Sequence, residues 1–380
     1  MSIKSLPNGL PNDVIPDASA RPSVASHSPR TRRNTGRSVL GDVARLAGVS
    51  TATVSRVYNA PDKVSASVRT RVEEAALSLK WIPNAAGRAL ASSRSHIAGI
   101  IIPTLDDQVF ASQVSGMQAT FAAHDITLFV GCSNYDAAQA VVQVRAMLAR
   151  GVEAIALVGE AHPPEVFDAL KQYNVPYVLT YAYRQGSEHV CVGFDNHAAF
   201  AEITEHLLGL GHRAFGVVMQ PSIDNDRVQQ RLAGIRDTLR QQGLAVRPEH
   251  FYEGHASIDF GRESMRAMWE SQHSERPTAI ICGNDALAFG VLREAESLDI
   301  AVPGALSVTG FDDHSLSRAS PPMITTMSVD THKIGALAAH YLLDRLEGKA
   351  AAMGQLLQAV LHVRESTGAV RGRSAMGDRG

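Results

Sequence analysis

Between Val39 and Asn59 the chain reads VLGDVARLAGVSTATVSRVYN, and its apolar spacing leaves little freedom of structure. Leu40, Val43, Ala44 and Ala47 recur at i, i+3, i+4 and i+7, the period that lines one face of a helix. Gly48 can turn without a Cβ penalty, and Ser50 can accept from the free N–H groups that open a second helix. There Val54, Val57 and Tyr58 share the inward face, so Ala52, Arg56 and Asn59 point outward, with Thr51 and Ser55 beside them near its start. Ser65 is placed to cap a third helix, in which Val68, Val72, Ala75 and Leu79 keep the helical period. Two helices on so short a turn form a helix-turn-helix, whose second helix is shaped for the DNA major groove. An ordinary helical hairpin would explain the spacing, but not the coincidence of turn, cap and third helix.

Charge is distributed to match. The first 95 residues carry 14 Lys and Arg against 6 Asp and Glu, whereas the whole chain of 380 residues has a net charge of −2. A basic N-terminal part on an acidic body suits phosphate contact by the first and small-molecule or subunit work by the second. Residues 1–37 are rich in Pro, Ser, Asn and Arg without a hydrophobic period, and are expected to stay disordered. Arg30, Arg32, Arg33 and Arg37 could add non-specific phosphate contacts, or simply solubilise the leader.

From Ile97 onward, short apolar runs alternate with helical patterns. IAGIII, TLFVGC, AIALVG and YVLTY read as buried strands, and HVCVGF, AFGVVM, AIICG and LSVTGF as a second set. Two such sets imply two parallel-sheet lobes hinged around a ligand, which open sheets bind at the carboxyl ends of their strands. Several polar residues stand there. Asn284 and Asp285 follow AIICG, Asp312 and Asp313 follow LSVTGF, Arg227 and Arg231 lie on the helix after AFGVVM, and Phe110 lies beyond IAGIII. An amide and carboxylates suit hydroxyl groups, while arginine suits a carboxylate, phosphate or ring hydroxyl. Asp285 is expected to cap its helix, Asp313 to serve a turn, and Asp195 or Asn196 to cap the helix after HVCVGF.

Other chemistries find little support. There is no GxSxG, Walker-type loop or HExxH, so neither catalysis nor a metal or cofactor is expected. Cys132, Cys191 and Cys282 sit in apolar runs without CxxC spacing and read as packing residues. No apolar run reaches the roughly 18 residues needed to span a bilayer, and no apolar secretory stretch opens the chain, which points to the cytoplasm.

DVARLAGVSTATVSRVYN, followed by KVSASVRTRVEEAALSLKWIPNAAGRALAS, resembles the headpiece and hinge of the lactose-repressor/galactose-repressor (LacI/GalR) family of bacterial transcription regulators. The resemblance runs from about residue 38 to 368: NDALAFG is similar to the family's NDxxAxG, GFDD to its GYDD, and RESTG to the run that closes its core. It implies that Thr51 and Ala52 are the specificity pair of the recognition helix. Thr53, Ser55 and Asn59 then position the unit on phosphates or act as caps. Arg56 has the reach to pair bidentately with guanine O6 and N7. Residues 83–95 become a hinge helix that orders on operator DNA and wedges Leu90 into the minor groove, with Gly87 a departure that weakens the helix. Arg231 matches the arginine that commonly contacts the effector, Phe110 an aromatic that stacks on it, and Tyr181 stands where the family has an acid. His212 resembles a feature of structural character.

The expected architecture is therefore a small all-α helix-turn-helix headpiece (38–82), the hinge (83–95), a periplasmic-binding-protein-like α/β core of two parallel-sheet lobes (96–368) and a flexible tail (369–380). The expected protein is a repressor that binds a pseudo-palindromic operator as a homodimer, since no leucine heptad follows the core. Its effector would be a sugar, sugar acid or sugar phosphate contacted by Phe110, Arg227, Arg231, Asn284 and Asp312. The rival is a solute-binding module serving a transporter, against which the headpiece and the missing secretory stretch both argue.

Overall fold

The computed structural model describes residues 38–82, 94–271, 275–319, 321–350 and 354–370. The chain divides into two compact units between Pro83 and Asn84. Leu90, Gly87 and the four leader arginines lie outside the described residues.

The first unit holds α1 (Leu40–Ala47), α2 (Thr51–Asn59) and α3 (Ala66–Ser78). Gly48 closes α1 in the left-handed region at φ 65°, and Ser50 Oγ accepts from Thr53 N–H at 3.0 Å to open α2. Val43, Val54 and Val72, one from each helix, are fully buried, and Ala44, Ala47, Val57, Ala75 and Ala76 close the core around them. Trp81 packs on Tyr58, their rings 5.6 Å apart. Ser65 occupies the position before α3 but makes no cap: its Oγ lies 3.4 Å from Ser67 Oγ instead of accepting a backbone N–H.

The second unit begins with β1 (Ile97–Ile102), α4 (Gln108–Ala122), β2 (Thr127–Cys132), α5 (Ala137–Ala149), β3 (Ala154–Val158), α6 (Pro164–Gln172), β4 (Tyr177–Thr180) and β5 (Cys191–Gly193). It continues through α7 (Asn196–Gly209), β6 (Phe215–Met219), α8 (Asp226–Gln241), β7 (Phe251–Glu253), α9 (Ile258–Glu270), β8 (Ala279–Cys282), α10 (Asp285–Ser297) and β9 (Ser307–Phe311). The last elements are α11 (Ser315–Ala319), β10 (Thr325–Ser328), α12 (Thr331–Leu346), β11 (Gln355–Leu356) and β12 (Val360–His362).

Two six-stranded sheets result, ordered β11-β5-β4-β3-β1-β2 and β12-β10-β9-β8-β6-β7. Every pairing is parallel except that of β12 with β10. HVCVGF, read in sequence with the second set, belongs to the first sheet, where Cys191 pairs with Leu179. The physical reason is that α7, following β5, packs on α8 and is the segment that carries the chain across. The chain returns after β10, because α12 packs against α4 and β4, and crosses a third time between β11 and β12.

The α4–α12 approach depends on glycine. A Cβ on Gly116 would lie 2.0 Å from His332 O, and one on Gly335 would lie 2.0 Å from Gln113 O. Phe194, at the end of β5, stacks on Phe311 of β9 at 5.6 Å, so the main apolar core is continuous between the sheets. His212 is structural: Nδ1 faces Thr278 Oγ1 at 3.0 Å and Nε2 faces Ser307 Oγ at 2.9 Å. All three cysteines are free thiols. Among the described residues no helix is long and apolar enough to cross a membrane.

Candidate functional site

Each unit carries a candidate surface. On the first, burial of Val54 and Val57 turns the other side of α2 outward, and Thr51, Ala52, Arg56 and Asn59 are exposed there. Ala52, Arg56 and Asn59 are spaced four and three residues apart and so share a stripe. Thr53 is tied into the start of the helix, its Oγ1 2.9 Å from Ser50 Oγ, and Asn59 Nδ2 donates to Ser55 Oγ at 3.0 Å. Among the described residues Arg56 has no ion pair or side-chain hydrogen bond, so its five donors are available to an acceptor outside the chain.

On the second unit a cleft opens at the carboxyl ends of both sheets. It is lined by Phe110, Arg227, Arg231 and Asp312, together with Asp107, Tyr135, Tyr181, Gln220, Asn225 and Val228. Phe110 is 4% exposed, its ring 5.6 Å from that of Tyr181. Tyr181 donates its hydroxyl proton to Asp312 Oδ1, and Asp312 is held at φ 98°, where an L residue is strained. Burial, and then the carboxylate of Asp107, push Asp312 up to about 6. Asp107 caps α4 by accepting from Val109 N–H at 3.1 Å, and it lies 3.4 Å from His314 Nε2. Burial acts against the charged His314 ring, but Asp107, Asp312 and Asp285 overcome it and hold the ring up at about 9.

Arg231 is built in. Its Nε donates to Asn196 Oδ1 at 2.9 Å and its Nη1 to Gly283 O at 3.0 Å, while the guanidinium lies 4.3 Å from the centre of the Phe311 ring. Asn196 in turn donates to Tyr181 O at 3.2 Å. Asn284 is not brought to the cavity. It, not Asp285, caps α10, its Oδ1 accepting from Leu287 N–H at 3.0 Å, because Asn284 is the last extended residue before the helix. Asp285 faces inward, accepting from Thr326 Oγ1 at 2.6 Å and His314 N–H at 2.7 Å, and burial pushes it up to about 7. Asp195 caps α7 through Ala198 N–H at 2.9 Å. Asp313 binds Arg364 Nη2 at 2.6 Å, a pairing that ties the RES run to the turn after β9.

Sequence reasoning did not single out Asp107, Tyr135, Gln220 or Asn225. Gln220 directly follows β6 and the other three also lie past strand ends, so the rule that found Asp312 applies to them; no motif marked them. Asp226 Oδ2 accepts from Glu160 N–H at 3.0 Å and Oδ1 from Ala161 N–H at 3.3 Å, joining α8 to the segment after β3. The space between the lining side chains, about 30 Å³ for the centres of water-sized spheres, is room for about two waters.

Comparison with known proteins places both units. Residues 39–84 match the bacterial regulatory proteins of the lacI family, and residues 204–367 match a periplasmic binding protein-like domain. The HTH-type transcriptional repressor CytR of Escherichia coli K12 is 30% identical over 345 residues, covering 90% of this chain and 99% of that one. A LacI-family transcriptional regulator from Silicibacter pomeroyi has a crystal structure similar to this chain with a TM-score of 0.80, at 27% identity, over 86% of this chain and 98% of the other. The lac repressor dimer bound to operator and the anti-inducer ONPF is similar with a TM-score of 0.76, at 27% identity, over 88% and 100%. The chain belongs to the LacI family of bacterial regulatory proteins, which are DNA-binding transcription regulators.

Proposed function

We propose that the protein is a repressor that binds a pseudo-palindromic operator as a homodimer and is switched by a small polar metabolite held between the two sheets. The observation that carries this reading is that one chain joins an outward Ala52–Arg56–Asn59 stripe on a packed helix-turn-helix to a polar cleft lined from both sheets. In the major groove, Arg56 reads guanine, Thr51 and Ala52 meet neighbouring base edges, and Thr53, Ser55 and Asn59 position the helix on the backbone. Leu90, within the hinge 83–95, wedges into the minor groove at the operator centre. The solved relative named as a lac repressor dimer on its operator with an anti-inducer supports the same assembly here.

Switching follows from the bonds that join the lobes. Tyr181 to Asp312, and Asp226 to the Glu160 and Ala161 amides, link the two sheets by hydrogen bonds, and His314 faces Asp107 across them as an ion pair. A metabolite that engages Phe110 and Asp312 competes with some of these links, so it binds one lobe arrangement better than the other and shifts the population toward it. Coupling of about 1–3 kcal/mol is typical of such linkage.

Fluorescence anisotropy of full-length protein on its operator, with sugars, sugar acids and sugar phosphates added in turn, tests the reading. One class should change operator affinity by roughly 5- to 150-fold; uniform affinity across all three would contradict a metabolite switch of this chemistry.

A further inference from the structure

The two arginines of the cleft differ in how their charge is used. Arg231 is satisfied by Asn196, Gly283 and the Phe311 ring. Arg227 is only 8% exposed, yet its buried Nε meets no acceptor among the described residues. The nearest carboxylate atom, Asp226 Oδ1, stands 4.0 Å away, too far for a hydrogen bond, and Asp226 is already bonded to the amides of Glu160 and Ala161. A buried guanidinium in this condition is costly unless something completes it.

What could complete it is set by the surroundings. Arg227 and Tyr135 line both the cleft and a second cavity beside it, whose lining also includes Ser133, His162 and the carboxylates of Asp136, Asp224 and Asp226. Gly159, at φ 84°, leaves room beside Asp226 and Arg227: a Cβ there would lie 2.6 Å from Asp226 Oδ1 and 3.2 Å from Arg227 Nε. His162 Nε2 is buried without a partner among the described residues, and burial together with the Arg227 charge lowers the ring to about 4, so it is neutral and adds no charge of its own to the cavity. Asp136 Oδ1 in this cavity accepts from the amides of Ala138 and Gln139, capping α5. On the other side, Gln220 Oε1 is likewise buried and without a partner among the described residues.

We infer that the effector is an anionic metabolite whose carboxylate or phosphate seats on Arg227 between the two cavities, with its hydroxyls reaching toward Gln220 and Asp312. This rests on the proposed metabolite switch and narrows its ligand. Guanidinium and carboxylate or phosphate pair through two parallel charge-assisted hydrogen bonds, whereas the hydroxyls of a neutral sugar bring no opposite charge.

The test is a thermal-shift and calorimetric titration of the full-length protein with inorganic phosphate, D-gluconate, D-glucose 6-phosphate and D-glucose at matched ionic strength. At least one anionic probe should bind the wild type, gluconate and glucose 6-phosphate separating carboxylate from phosphate. Arg227→Gln should weaken that binding roughly tenfold or more, and Arg227→Lys, which keeps the charge without the fork, should retain part of it. Without ligand, Arg227→Gln should hold or raise Tm, because the buried Nε has no hydrogen-bond partner among the described residues and the Asp226 carboxylate stands 4.0 Å away; a fall in Tm would assign Arg227 a structural pairing with Asp226 and overturn the inference. So would equal anion binding by wild type and Arg227→Gln, response to D-glucose alone, or no response to any probe. If Arg227→Gln does not fold, full anion binding by Arg227→Lys overturns it. Operator binding by the same wild-type preparation is measured alongside: its loss contradicts the proposed function, whereas intact operator binding with failed anion binding contradicts only this inference.

Discussion

Tyr181 donates a hydrogen bond to Asp312 across a gap of 131 positions in sequence, and so joins the turn after β4 in one sheet to the turn after β9 in the other. The tyrosine is buried and stacks edge-on to Phe194 at 5.1 Å, so its hydroxyl has little freedom to turn elsewhere.

Tyr181→Phe keeps the ring and removes only that donor. Asp312, half-buried, would then lack this partner, and the loss should be about 1–3 kcal/mol in unfolding free energy, read from denaturant midpoints at constant slope. An unchanged midpoint would show that the bond contributes nothing to holding the lobes together.

His314 gives the core a pH dependence of definite sign. Its folded value, about 9, lies above the usual histidine value of 6.5, so its contribution is fully present below 6.5 and is lost as pH rises to about 9. Asp285 and Asp312, raised to about 7 and about 6, act in the same sense at lower pH, and His162, lowered to about 4, opposes them there. Between pH 6.5 and 9 the wild-type core should therefore lose stability steadily, and His314→Asn should flatten that slope. Parallel profiles for the two proteins would remove the assignment.

Arg56→Ala should cost about 1–3 kcal/mol of discrimination between operator and unrelated duplex, while non-specific binding falls much less. Anisotropy titrations on both duplexes at one salt concentration measure this. Equal losses would make Arg56 a phosphate contact.

Leu90→Ala should weaken operator binding and reduce the bend of the bound DNA, measured by resonance energy transfer between the duplex ends. Unchanged bending would remove the minor-groove wedge.

The headpiece could be read from sequence because its turn is local: the spacing of Val43, Ala44 and Ala47, the Gly48 turn and the Ser50 cap lie within eight residues. The buried strands were readable as apolar runs, but their pairing was not. Nothing in HVCVGF states which sheet Cys191 joins, since that depends on where α7 crosses. β10 does not show as an apolar run because two of its three buried residues, Thr325 and Thr326, are polar, their hydroxyls satisfied by Thr367 and by Asp285. In the cleft, strand-end position and the family motifs brought out Phe110, Arg227, Arg231 and Asp312. The division of labour between the two arginines was hidden, because Arg231 is completed by Asn196 and Gly283, both distant in sequence.

The most direct test of operator recognition is selection of bound duplexes from a random DNA library by the full-length protein, repeated with Arg56→Ala. An enriched inverted repeat, with a guanine at one position of each half-site whose selection disappears in Arg56→Ala, is the predicted result. A library that stays unenriched, or a site without two-fold symmetry, would contradict a dimeric operator-binding repressor.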